Sequence, residues 1–463
     1  MAEQQQAPLA PPGIFKAYDI RGLHGEEMDE TTAYAVARAF VRVLGRLREK
    51  DPSDLRIGLG RDMRLTAPAM SKAFREGLID ESAGVLDAGM VATEMLYFLV
   101  GSRELDGGAM ITASHNPKAY TGIKLIREGA LALSGDAGIG DVRREIEGGL
   151  GDAPGGGSFE EVDVRGEFQE HALSFIDASS VRPMVVVVDG GNGMGGPMVG
   201  PILERLPLDL VEMYFEPDGE FPDHEPNPLL PENRKLIEDR VRGSGADLGI
   251  AWDGDADRCF FIDGDGVFCD GDFVCALLAR AALAKSPGAT ILYDPRSSRA
   301  VPDLVEAEGG RSGLSRVGHA FFKQRMREAG AVFGGEVSGH YYFRDFWNAD
   351  SGTIPALLML ELLSVDGRSL AELMAEFRSR YFISGEINSE VGDQEAKMAE
   401  IEERYSEGAE VAHLDGVSID HPDWHFNVRP SNTEPLLRLN LESLVSREDM
   451  EAKRDEILAM IRA

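Results

Sequence analysis

Four stretches of this 463-residue chain concentrate residue types able to do chemistry. The first is Thr112-Ala-Ser-His-Asn-Pro117, where Ser114 follows an apolar run with His115 and Asn116 beside it. A serine next to a histidine can act as a nucleophile, but the Gly-x-Ser-x-Gly elbow is absent. A serine can also carry a phosphoryl group, which adds charge and three acceptor oxygens. The same string suits a plain turn capped by Ser and Asn. The second stretch is Asp253-Gly-Asp-Ala-Asp-Arg258. In an extended chain, alternate residues lie ~6.6 Å apart, too far to share one small cation. Gly254 is expected to let the loop curl and bring Asp253, Asp255 and Asp257 together. Three hard oxygens with open positions suit Mg²⁺. An EF-hand would need Gly where Arg258 stands and Glu where Gly264 stands, and aspartyl-phosphate phosphatases commonly carry Thr or Val where this chain has Asp257. A solvated acidic turn is the plain alternative, disfavoured because three crowded carboxylates repel.

The third stretch, Arg429-Pro-Ser-Asn-Thr-Glu-Pro435, offers a guanidinium, two hydroxyls and an amide. Such a loop can wrap a phosphate, with arginine giving bidentate bonds. It also suits an ordinary polar turn. The fourth, Gly191-x-Gly193-x-x-Gly196, matches the dinucleotide fingerprint, with Glu212 or Glu216 about 20 residues on. A tight strand-to-helix turn explains it as well, and is the simpler expectation.

The elements needed to position these loops recur three times as a β-α-β-α-β rhythm. The first run starts at Arg56 and ends near Thr112, the second starts at Met184 and ends at Trp252, and the third starts at Thr290 and ends at Phe333. Apolar strands between helices imply sheets covered on both faces. Each run ends in a polar loop: 113–117, 253–258 or 335–340. Ligands of such sheets bind beyond the carboxyl ends of the strands, so one shared cleft is the simplest expectation. Glu147 to Ser158 is Gly-rich and reads as a linker. The last ~85 residues hold helix-forming stretches and a strand-loop-strand, which suggests a fourth, α+β domain.

Net charge is −33, from 47 basic and 80 acidic residues. Nucleic acid and anionic membranes are therefore excluded as expected partners, since both require basic patches. No run reaches the ~18 apolar residues of a membrane helix, and the first 13 residues read as a frayed tail without a signal-peptide pattern. Three cysteines, Cys259, Cys269 and Cys275, lack a Cys-x-x-Cys pair. Buried thiols and a reducing cytoplasm are the expectation.

Taken together, the motifs resemble the α-D-phosphohexomutase family, on its phosphomannomutase/phosphoglucomutase side. The matching strings are Ala17-Tyr-Asp-Ile-Arg-Gly22, Thr112 to Pro117, Gly122-Ile-Lys124, Asp253 to Arg258, Gly318-His319, Gly335 to His340 and Arg429 to Thr433. Their order matches across residues 13 to 463.

The resemblance implies three similar doubly wound α/β domains plus a C-terminal α+β domain around a central cleft. The expected divisions are 1–157 with the phosphoserine loop, 158–266 with the metal loop, 267–379 for the sugar and 380–463 for a phosphate. It implies that Ser114 is phosphorylated, that Mg²⁺ is held by Asp253, Asp255, Asp257 and the Ser114 group, and that sugar phosphates are the partners. Hexose 1-phosphate and 6-phosphate of mannose or glucose would interconvert through a hexose 1,6-bisphosphate. Lys124 and His340 match proton-transfer positions, and Arg258, Arg21 and His115 belong to the same centre. Glu336 and Ser338 match sugar-hydroxyl readers, and Arg429, Ser431, Asn432 and Thr433 a distal-phosphate pocket. Tyr18 and His319 match further cleft contacts. Arg296 stands where the family usually has a phosphate-contacting lysine. Val337, rather than Gln, sets the sugar loop apart from glucosamine mutases. The alternatives are a phosphoglucosamine mutase and a catalytically silent sugar-phosphate binder.

Overall fold

The computed structural model describes residues 9–134, 138–431 and 436–463. Its chain forms two compact units, Met1–Phe268 with His340–Gly367, and Cys269–Gly339 with Arg368–Ala463. The first unit holds two sheets. In one, the strand order is Ile20–Leu23, Tyr120–Arg127, Gly107–Ile111, Arg56–Arg61, Gly84–Met90 and Ser158–Glu161. The last four run parallel, joined by the helices Ala67–Asp80 and Thr93–Ser102, as the β-α-β rhythm predicts.

Two elements lie outside that rhythm. Helix Glu30–Arg48 is started by Asp29, whose carboxylate accepts the Thr32 N–H in a capping box. Strand Tyr120–Arg127 runs antiparallel to Gly107–Ile111, with Lys124 opposite Met110. Its alternation is masked in the sequence because residues 121–126 are all buried, Lys124 included. The Ser114 loop therefore links two neighbouring antiparallel strands.

In the second sheet, Leu208–Met213, Met184–Asp189 and Leu248–Trp252 are parallel, and Cys259–Asp263 adds antiparallel at the edge. The Asp253 loop thus joins Leu248–Trp252 to its neighbour. A short hairpin, Tyr341–Phe343 with Ala349–Asp350, and helix Thr353–Asp366 complete this unit.

The second unit contains parallel strands Arg311–Leu314, Thr290–Tyr293 and Phe333–Gly335 with helices Gly271–Lys285, Ala300–Ala307 and His319–Ala329. It also contains the expected α+β segment. There an antiparallel sheet runs Phe382–Ile383, Leu436–Ser443, Trp424–Pro430, Val417–His421 and Glu410–Ala412, with Ile387–Glu390 also on Leu436–Ser443. Helices Gln394–Tyr405 and Arg447–Arg462 bury Ile401, Met450 and Ile457 against Phe426, Val428 and Leu439. No helix of the described residues is long and apolar enough to cross a membrane. All three cysteines are buried thiols outside any disulfide.

The Gly-rich stretch after Glu147 is not a loose tether. Arg38 donates to the Leu150 and Gly151 carbonyls, and Arg42 Nη2 to Leu150 at 2.6 Å. Gly155 and Gly157 bond to the carbonyls of Asp80 and Ile79. A Cβ on Gly157 would lie 2.5 Å from the Ala83 carbonyl oxygen, so this glycine serves close approach rather than flexibility.

Glu94 fastens two parts of the first unit. Fully buried in helix Thr93–Ser102, it accepts the hydroxyls of Ser351 and Thr353 and the Thr353 N–H, the start of helix Thr353–Asp366. Burial pushes its carboxyl from 4.5 up to about 7, although these hydrogen bonds pull the other way. The folded state thus binds the proton more tightly than the unfolded state. The stability tied to Glu94 is full below about pH 4 and is lost as pH rises through about 7. Relative to wild type, Glu94→Gln should gain about 3 kcal/mol between pH 4 and 8, because each tenfold difference in proton affinity between the folded and unfolded states is worth ~1.4 kcal/mol. Thermal denaturation of both proteins at the two pH values checks this; a pH-independent difference in Tm would contradict it.

Candidate active site

Ser114 is buried and has a left-handed backbone, φ 49°, an uncommon conformation for a residue with a Cβ. Several bonds hold it there. Its N–H donates to Thr112 Oγ1 at 2.8 Å. Its carbonyl accepts Arg64 Nη2 at 2.7 Å, and the same guanidinium reaches the carbonyls of Asn116, Pro117 and Tyr120. Arg64 in turn is anchored to Asp62. Arg21, paired with Asp19 at 2.6 Å, donates to Asn116 Oδ1 at 2.5 Å. The Ser114 hydroxyl donates to Asp253 Oδ2 at 2.7 Å and lies 3.1 Å from His115 Nδ1. Desolvation, then the charges of Arg258, Arg21, His340 and Lys124, hold the His115 ring well below the usual imidazole range.

Asp253, Asp255 and Asp257 are buried, and each offers one oxygen within 4.8 Å of the others. Arg258 Nε donates to Asp253 Oδ2 at 2.9 Å, and its Nη2 forms an ion pair with the same oxygen at 2.9 Å. Lys124 Nζ bridges Asp255 at 2.7 Å and Asp257 at 2.5 Å. The hydroxyls of Thr93 and Thr112 also donate to Asp255. Burial pushes Asp253 up to about 7; Arg258 pulls it down, while Asp257 and Asp255 push it up. Burial lowers Lys124 as well, but Asp255 and Asp257 outweigh it and hold the ammonium above its ordinary range. Asp255 Oδ1 is buried without a hydrogen-bond partner among the described residues. An all-oxygen trio with one unused buried lone-pair site fits a hard divalent cation.

The loop curls for a reason other than the one its sequence suggests. Its left-handed residue is Ala256, φ 60°, and Ala256 N–H closes a turn onto Asp253. Gly254 is required by contact instead: a Cβ there would stand 2.6 Å from the Ser114 carbonyl oxygen. The Gly-rich turn at 191–196 supports the same loop. Met194 N–H donates to the Gly254 carbonyl at 2.9 Å, and a Cβ on Gly193 would meet that carbonyl at 2.6 Å. Those glycines therefore serve as a tight turn beneath the carboxylates.

His340 Nε2 is 3.8 Å from Asp257 and its ring stacks on Tyr342; Tyr18 is half-buried in the same unit. In the second unit, Arg296 forks onto Asp294 at 2.8–2.9 Å and approaches Glu336 at 3.6 Å. Glu336 Oε1 accepts Gly318 N–H at 2.8 Å, beside His319 at the head of its helix. Arg429 bonds Glu386 at 2.8 Å, and Ser431 is bonded by Arg438 at 3.4 Å. Ser338 precedes Gly339 in the Glu336 turn. Asn432 and Thr433 lie outside the described residues.

Family models for phosphoglucomutase/phosphomannomutase match in order: alpha/beta/alpha domain I over residues 12–147, domain II over 167–266, domain III over 270–381 and the C-terminal domain over 386–460. The chain belongs to the phosphoglucomutase/phosphomannomutase family. It is 44% identical over 458 residues to a phosphomannomutase of Salmonella montevideo, covering 96% of this chain and 98% of that protein. A Xanthomonas campestris protein named for phosphohexose mutases is 43% identical over 451 residues, covering 97% and 99%. Among solved structures, a phosphoglucomutase/phosphomannomutase family protein of Burkholderia thailandensis superposes with a TM-score of 0.88 at 31% identity, covering 97% of each chain.

For this family member, the residues assigned to the site from sequence leave out Arg64, Thr93, Thr112, Glu386 and Arg438. Thr112 opens the serine string and Arg64 follows the strand end Arg61-Asp62, so both stand where a loop-holding group would be sought. Thr93 and Glu386 act only through folded contacts and carry no local signal. The contrast between Gly254 and Ala256 gives a direct test. Gly254→Ala should destabilise by about 1–3 kcal/mol through overpacking against Ser114, whereas Ala256→Gly should stay within about 1 kcal/mol of wild type because it relieves a left-handed side chain. Denaturation midpoints of both variants decide this, and the reverse ranking would refute the contact argument.

Proposed function

We propose that this chain interconverts hexose 1-phosphates and hexose 6-phosphates, of mannose and glucose, through a phosphorylated Ser114 and a hexose 1,6-bisphosphate. The observation that carries the reading is the Ser114 hydroxyl, 2.7 Å from Asp253 in a buried carboxylate trio. The relatives named phosphomannomutase support it. The phosphoryl group leaves Ser114 Oγ for the free C6 or C1 hydroxyl of a bound monophosphate. The sugar hydroxyl loses a proton and the serine oxygen regains one. The bisphosphate then turns over, and its other phosphoryl group returns to Ser114.

Phosphoryl transfer asks mainly for positioning and charge neutralisation. Mg²⁺ held by Asp253, Asp255, Asp257 and the Ser114 group would neutralise the transferring oxygens. Arg258 and Arg21 add positive charge beside the serine, and His115 Nδ1 stands 3.1 Å from its oxygen. Lys124, kept protonated by Asp255 and Asp257, adds a further positive charge beside the serine, and Lys124 and His340 stand at the two proton-transfer positions. Glu336 and Ser338 read the sugar hydroxyls. Arg429 and Ser431, with Asn432 and Thr433, hold the phosphate that is not reacting, and Tyr18, His319 and Arg296 contribute further contacts. Buried thiols outside any disulfide suit a reducing cytoplasm.

Ser114→Ala should lower mutase turnover by several orders of magnitude, because the relay is removed; phosphopeptide mapping of wild type should place the phosphoryl group on Ser114, and a label on another serine would sink the assignment. Mannose and glucose differ only at C2, and the intermediate must bind in two orientations. Glu336 and Ser338 can read O3 and O4, which roughly exchange places on turning over. The two 1-phosphates should therefore have kcat/KM within about tenfold, or ~1.4 kcal/mol, and Glu336→Ala should depress both in a coupled assay. A thousandfold preference would mean that C2 is read directly.

A further inference from the structure

Arg429 and Arg438 stand directly opposite each other where Trp424–Pro430 pairs with Leu436–Ser443. Directly opposed residues share one face of the sheet, and like charges placed so are destabilising. One carboxylate resolves the conflict. Glu386 Oε2 accepts Arg429 Nη2 at 2.8 Å, and Glu386 Oε1 accepts Arg438 Nη1 at 3.4 Å. Arg296 Nη1 comes within 3.7 Å of the same Oε2. Arg296 already has Asp294; for Arg429, Glu386 is the bonded carboxylate among the described residues. Arg429 is largely buried, whereas the Glu386 side chain retains 28% exposure, so the carboxylate is the member of the pair with room to leave.

A carboxylate and a phosphate monoester offer acceptor oxygens to the same guanidinium N–H groups. We infer that Glu386 is an internal counter-ion that holds Arg429 and Arg438 in place of the sugar's distal phosphate and yields them when the phosphate arrives. The inference rests on the proposed role of Arg429. It gives the site an exchange of one anion for another rather than a simple capture. An intermediate that must release its distal phosphate and return turned over gains from this, because Glu386 re-engages the arginines as the phosphate leaves and lowers the cost of letting go. Binding energy spent equally on ground state and transition state would not raise turnover.

Glu386→Gln keeps the size and one acceptor but removes the charge. It should lower KM for glucose 1-phosphate by about fivefold without raising kcat. The variant alone should melt below wild type, since the arginine pair loses its counter-charge, yet saturating glucose 1-phosphate should raise its Tm more than it raises that of wild type. A purely structural Glu386 would give the first melting result without the second. Arg429→Ala, measured in parallel, separates the two layers. If Arg429→Ala keeps the wild-type KM, the phosphate role of Arg429 fails and the inference fails with it. If Arg429→Ala raises KM while Glu386→Gln leaves KM unchanged or raises it, the role of Arg429 stands and the counter-ion role of Glu386 is overturned.

Discussion

Three carboxylates brought within 4.8 Å of one another and withdrawn from water repel, and the surroundings of Ser114 are organised by that repulsion. Burial of like charge is tolerated only where opposite charge and hydrogen bonds answer it. The answers come from separate elements: Arg258 from the loop itself, Lys124 from a strand of the other sheet, Thr93 from a helix start, and the Ser114 hydroxyl from a turn. Each is fixed in place by the carboxylates it neutralises. The same forces that make the trio suited to a cation therefore join the two sheets of the first unit.

The second unit solves the opposite problem with the same means. Guanidiniums crowd there, and Asp294, Glu336 and Glu386 compensate them. A chain of net charge −33 repels anions at long range, though screening confines that field to about 8–10 Å at physiological salt. Arg296, Arg429 and Arg438 create a local exception. The carboxylates at their side keep that exception small.

Much of this was legible along the chain because it depends on local order. Parallel strands announce themselves as apolar runs between helices, and the Ser114, Asp253 and Arg429 loops each gather unusual polar residues in a few positions. What was hidden depends on distance in sequence. Strand Tyr120–Arg127 concealed its period because a charge partner let Lys124 be buried. Gly254 looked like a hinge, yet its missing side chain matters to Ser114, far away in the chain. Arg64 and Glu386 were invisible for the same reason: nothing near them in sequence says which carbonyls or guanidiniums they will meet.

The bond from Ser114 to Asp253 spans 139 positions, and the Gly254 and Thr93 backbone contacts span comparable gaps. Contacts so remote close late in folding, since loop entropy must be overcome first. On the ribosome, the whole serine turn emerges well before any of the three aspartates has been made. Until they arrive, Lys124 lacks Asp255 and Asp257, the turn is held by Arg64, Arg21 and Thr112 without them, and the left-handed serine lacks the wall formed by Gly254. The nascent first sheet can therefore assemble with the Ser114 hydroxyl still unaligned, and vectorial synthesis defers the completed arrangement until the second sheet has been translated.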